Sequence, residues 1–141
     1  MIIAVDFDGT IVEHEYPKIG KTKLFAFETL KQLEKDGHKL ILWTFRTGDL
    51  LDEAVSFCKQ NGVNFYAVNN SFPDEPFDPK NASRKIAADL FIDDRNFGGF
   101  PGWDKIWETL GKNKVNFKQI EDRIQNDNFL QRMFRFFGFG S

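Results

Sequence analysis

Two short acidic strings hold the reactive groups of this chain. Asp6 and Asp8 flank Phe7 directly behind the apolar run Ile2-Ile3-Ala4-Val5, and Gly9-Thr10 follow them. Asp93 and Asp94 stand together behind Leu90-Phe91-Ile92. Carboxylates gathered in this way repel one another, and a hard divalent cation with oxygen ligands is the natural reason to collect them. An EF-hand loop fits poorly, because no helix precedes the acids and glycine falls too early. Thr44 closes another apolar run, Leu40-Ile41-Leu42-Trp43, with a hydroxyl. Arg46, two residues on, carries a planar fork suited to a phosphate or a base.

These groups need elements that bring distant positions together. The run at 2–5 reads as a buried strand, rich in β-branched residues, and Gly9 permits a tight departure from it. Residues 23–36 show helical spacing through Leu24, Phe27, Leu30 and Leu33, with Gly37 as its C-terminal stop. Residues 39–44 form a second strand, residues 49–61 a second helix, and residues 63–68 a third strand. The segment 69–79 contains three prolines and no helical period, so it reads as a long loop on the ligand side. Residues 90–92 give the last strand, and Trp103, Ile106, Trp107 and Leu110 share one helix face. The alternation of strand and helix predicts a parallel sheet with right-handed crossovers. Strand carboxyl ends are where such sheets place ligands, and Asp6, Asp8, Thr44, Asp93 and Asp94 all fall at strand ends.

A chain of 141 residues is most simply one domain with a real core. A net charge of -2 gives no general affinity for polyanions. The single Cys58 excludes an internal disulfide and suits a reducing compartment. No signal segment and no bilayer-length apolar run is visible, so the expected location is the cytoplasm.

The DFDGT string, the strand-ending Thr44 and the double aspartate of IDDR together resemble motifs I, II and IV of the haloacid dehalogenase-like superfamily. The resemblance implies a three-layer α/β/α Rossmann-like fold and phosphoryl transfer. Asp6 would attack phosphorus to form an aspartyl-phosphate, and Asp8 would act as acid and then base. Mg²⁺ would be held by Asp6, Asp93 and, through water, Asp94, with the backbone carbonyl of Asp8 completing the protein ligands. Thr44 and the amide of Phe45 would bind phosphate oxygens, with Phe7, Arg46 and Lys85 as the other contacts to substrate. Lys85 is the expected motif III lysine by its spacing to Asp93, with Lys80 and Arg84 as alternatives. Neither residues 11–38 nor residues 45–84 leave room for a cap domain, so the resemblance is to a capless phosphatase with an open site.

Residues 1–111 are expected to form this core, and residues 112–141 a helical, phenylalanine-rich extension that packs on the core or on another subunit. Its apolar stripe is Ile120, Ile124, Leu130, Met133, Phe134 and Phe137. The expected partner is a phosphorylated substrate, a nucleotide, a sugar phosphate or something larger, with no stable nucleic-acid partner. His14 and Glu13, in the loop after the first strand, are placed to face it. Two other readings use the same residues. A receiver domain also holds an acidic Mg²⁺ pocket, but it phosphorylates an aspartate on a later strand. A member of the resembled superfamily that binds phospho-ligands without turnover would keep every motif residue.

Overall fold

The computed structural model describes residues 1–80, 82–112 and 117–137, the last five of them as backbone only. Four strands occur among them: β1 (Ile2–Val5), β2 (Lys39–Leu42), β3 (Ala67–Val68) and β4 (Leu90–Ile92). The helices are α1 (Ala26–Lys35), α2 (Gly48–Gln60), α3 (Trp103–Leu110) and α4 (Phe117–Phe137). The sheet is wholly parallel in the order β3-β2-β1-β4. This mixed α/β architecture matches the expected parallel sheet.

Alternation along the strands divides the core in two. Ile3, Val5, Leu40 and Leu42 face one side, where Leu30 and Leu33 of α1, Ala54 and Cys58 of α2, and Trp103 and Ile106 of α3 bury them. Ala4, Ile41 and Ala67 face the other side, and Ile86, Trp43, Tyr66, Ala88 and Phe91 join them there. No helical residue contributes to that second cluster among the described residues. From the segment between β3 and β4, which the sequence reads as a loop, Ile86 and Ala88 pack on that face. Handedness accounts for the division. Two right-handed crossovers that step the same way across the sheet lay α1 and α2 on one face, whereas the return from β3 past β1 to β4 must cross the opposite face. That return has three prolines early in its path and stays irregular.

Three elements are shorter than the sequence predicts. The strand expected over 39–44 ends at Leu42, two residues before Thr44. The strand expected over 63–68 is only Ala67–Val68, although Val63 is buried. The first helix starts at Ala26, because Phe25 takes a left-handed conformation with φ 65°. In α4, Phe117, Ile120 and Ile124 pack against the helical face of the core, while Phe129 and Leu130 are exposed. The side chains of Met133, Phe134 and Phe137, expected to continue the apolar stripe, lie outside the described residues.

Candidate functional site

Register brings the two acidic strings side by side. Val5 pairs with Ile92, and the next amide, that of Asp6, still donates to the Ile92 carbonyl at 2.9 Å. Asp6 therefore leaves β1 beside the point where Asp93 leaves β4. Carboxylate oxygens of Asp6, Asp93 and Asp94 all lie within 4.8 Å of one another. The Asp6 carboxyl is pushed from an ordinary 3.8 up to about 7, first by burial, then by its contact with Asp94 and by the negative charge of Asp93. Such a set holds a proton or a cation, and its all-oxygen donors suit a hard divalent ion such as Mg²⁺.

The turn after Asp8 is built to bring this set together. Phe7 buries its ring in the core, edge-on to Phe57 with centroids 6.3 Å apart, and its carbonyl accepts from the amides of Thr10, Ile11 and Val12. Gly9 has φ +86°, and a Cβ there would collide with the Asp94 carboxylate. Thr10 is fully buried between the two strings: its hydroxyl lies 3.0 Å from Asp6 Oδ2 and accepts from the Asp94 amide at 3.0 Å. Trp103 Nε1 donates to the Thr10 carbonyl at 2.8 Å, which ties α3 to the same turn.

Arg46 does not take the substrate contact expected of it. Its side chain is fully buried, and Nε and Nη2 grip the two oxygens of Asp8 at 2.8 Å each. Nη1 donates to the Pro17 carbonyl at 3.1 Å and Nη2 to that of Lys18 at 2.9 Å. Its guanidinium carbon lies 5.1 Å from the ring centre of Phe7 and 5.3 Å from that of Tyr16. The bond to Asp8 pushes the Arg46 pKa up from its usual value. A carboxylate and carbonyls already fixed by the fold have taken the donors that a phosphate would need. Asp8 in turn stands outside the three-carboxylate set, which leaves its backbone carbonyl for the ligand role expected there.

The acids open into a cavity of about 520 Å³ lined by Asp6, Asp8, Asp93 and Thr44, with His14, Tyr16, Trp43, Phe45 and Arg95 around them. The hairpin that carries His14 and Tyr16 closes through the Glu13 amide on Lys21 O and the Lys23 amide on Ile11 O. Thr44 is fixed by its amide on Asn69 Oδ1 at 2.8 Å, and its hydroxyl accepts from the Arg46 amide at 3.2 Å. Lys85 does not line this cavity. It borders a second one of about 420 Å³ that shares the Trp43 wall, and its ammonium lies 4.5 Å from the centre of the Phe91 ring. Arg84 also borders that second cavity, and Lys80 is exposed. Among the described residues Arg95 is the only lysine or arginine lining the acid cavity. Arg95, Tyr16 and Trp43 line the cavity without having been singled out in the sequence, where only the adjacency of Arg95 to the double aspartate signals any of them; Asn69 opens the 69–79 loop expected on the ligand side. Cys58 is buried, and its thiol is pushed up to about 12 by that burial, which fits a packing residue.

No family model and no curated protein gives a significant match to the chain. A solved structure does: a conserved protein from Bacteroides thetaiotaomicron is 53% identical, with a TM-score of 0.72 over 85% of this chain and 96% of that one. At that identity and coverage, the chain belongs to the same family as this conserved Bacteroides thetaiotaomicron protein.

Proposed function

We propose that the protein is a Mg²⁺-dependent phosphomonoester hydrolase that works through an aspartyl-phosphate on Asp6. The observation that carries this reading is the meeting of Asp6, Asp93 and Asp94 at the ends of adjacent parallel strands, where Asp6 and Asp93 line a cavity together with Asp8 and Thr44. Asp6, Asp93 and Asp94 would hold the ion, which when bound offsets the charge repulsion between a phosphate dianion and the carboxylates. Asp6 is the nucleophile, aimed by the Thr10 hydroxyl. Asp8 moves the proton to the leaving oxygen and later takes one from water. The Thr44 hydroxyl and the Phe45 amide receive phosphate oxygens. Arg95 lies at the cavity and supplies positive charge where the transition state spreads negative charge, while Lys85, the expected motif III lysine, borders the neighbouring cavity on the other side of the Trp43 wall.

The intervals after the first and second strands carry a hairpin, helices and a loop, so the site stays open and capless in this reading. The cytoplasm suits the lone Cys58 thiol. No helix among the described residues is long and apolar enough to cross a membrane. Self-association would use the exposed Phe129 and Leu130 of α4.

The test is Mg²⁺-dependent phosphate release from p-nitrophenyl phosphate by wild type and by Asp6→Asn. Release by wild type, absent from the variant and abolished by EDTA, is the expected result. Release that survives Asp6→Asn would remove Asp6 as nucleophile. One observation favours a second reading, phospho-ligand binding without turnover: both oxygens of Asp8 are already engaged by Arg46. Under that reading, Mg²⁺-dependent binding persists while no phosphoester is hydrolysed.

A further inference from the structure

The mouth of the acid cavity carries aromatic rings that the core does not explain. Phe45 follows Thr44 directly and is 88% exposed, although the next residue, Arg46, is wholly buried. A phenyl ring left this exposed gains little from burial on folding, and this one has Tyr16 at its edge, with centroids 6.2 Å apart and planes at 70°. Tyr16 is itself held from below by the Arg46 guanidinium. Trp43 forms another part of the wall, only partly buried. The rings come from separate elements, the hairpin after β1 and the turn after β2, and they converge on the space beside Thr44. His14 and Arg95 interrupt them with polar groups.

We infer that this rim is a subsite for a planar aromatic group carried by the phosphomonoester, with Phe45 as its main stacking surface. The inference rests on the phosphatase reading for the position of the phosphate and goes beyond it in assigning the leaving group. With the phosphate at Asp6 and Thr44, the rest of the ester must leave through the mouth, across Phe45, Tyr16 and Trp43. An aromatic face there gains from stacking, which a saturated or sugar surface does not match. Two sources share this chemistry, a nucleobase and a substituted benzene ring, and the cavity admits either. His14 and Arg95 can serve the polar edge of a base.

Binding to Asp6→Asn, measured by calorimetry with Mg²⁺ present, separates the subsite from turnover. Adenosine 5′-monophosphate is paired with ribose 5-phosphate, which lacks only the base. Benzyl phosphate is paired with cyclohexylmethyl phosphate, which has similar bulk and a saturated ring. The aromatic member of at least one pair should bind about tenfold more tightly, and the pair that shows the preference identifies the source. Phe45→Ala in the same background should reduce that preference to less than threefold, and Phe45→Tyr should restore it. Position 45 is exposed, so neither change threatens the fold. Equal affinity within both pairs overturns the subsite. A preference indifferent to Phe45→Ala overturns the role of this ring. Failure of the phosphatase reading shows elsewhere, as the absence of phosphate release by wild type in the p-nitrophenyl phosphate assay.

Discussion

Arg46 and Asp8, 38 residues apart, form a bidentate pair with two contacts of 2.8 Å, and the guanidinium also holds the carbonyls of Pro17 and Lys18. One buried side chain thus fixes the proposed acid/base, the hairpin behind it and the turn into α2. Arg46→Ala should destabilise the protein by roughly 3–5 kcal/mol, the usual cost of stranding one partner of a buried pair. Arg95→Ala, at an exposed position, should stay within about 0.5 kcal/mol. Urea unfolding of both variants checks this, and equal small losses would show that Arg46 is not the anchor.

Asp6→Asn should lower phosphate release by at least about 100-fold. The same change should not weaken the metal-free fold, because it removes a charge that burial, Asp94 and Asp93 all disfavour. Activity and thermal melting in EDTA, measured on one preparation, check the two together. A large fall in melting temperature would mean that Asp6 is structural.

The raised Asp6 pKa also predicts a pH dependence. Between 3.8, its ordinary value, and about 7, the folded state holds a proton that the unfolded state has released. This group's contribution to stability is therefore full below 3.8 and is lost as pH rises towards 7. His38, whose pKa is lowered by burial and by the N-terminal ammonium, acts in the opposite sense near its ordinary 6.5. The difference between wild type and Asp6→Asn isolates the Asp6 part. In EDTA, wild type should lose stability relative to the variant from pH 5 to pH 7.5. Mg²⁺ binding near pH 6 should release protons, seen as a buffer-dependent heat.

Gly9→Ala should weaken Mg²⁺ binding by about tenfold or more, the scale of disturbing the support of a ligand. The positive φ disfavours any side chain, and the new methyl would push directly on Asp94. Gly37→Ala, at φ +92° but with open space around it, is the control for backbone strain alone. Calorimetric Mg²⁺ titration of both variants checks this, and equal effects would mean that Asp94 does not matter to the ion.

Cys58 should resist thiol reagents in the folded protein and react only on unfolding, because its buried thiol is pushed up to about 12. Mass spectrometry after iodoacetamide, with and without urea, reads this directly. Rapid native labelling would contradict the burial of α2.

By itself, the sequence determined the parallel α/β arrangement and the two acidic strand ends. Both follow from local chemistry: β-branched runs make strands, and a run that stops at carboxylates places them at the strand's end. Only the tertiary structure decided which groups face the cavity. Arg46 and Phe45 are neighbours, yet one is sealed beneath the site and the other stands at its mouth, because the irregular connection between β2 and α2 has no fixed side-chain period. Lys85 has plausible spacing to Asp93, but the irregular return from β3 to β4 sets its path, and spacing along an irregular segment fixes no direction in space. What packs on the second face of the sheet was equally hidden, since handedness dictates which face the return must cross but not whether a helix or a loop will cover it.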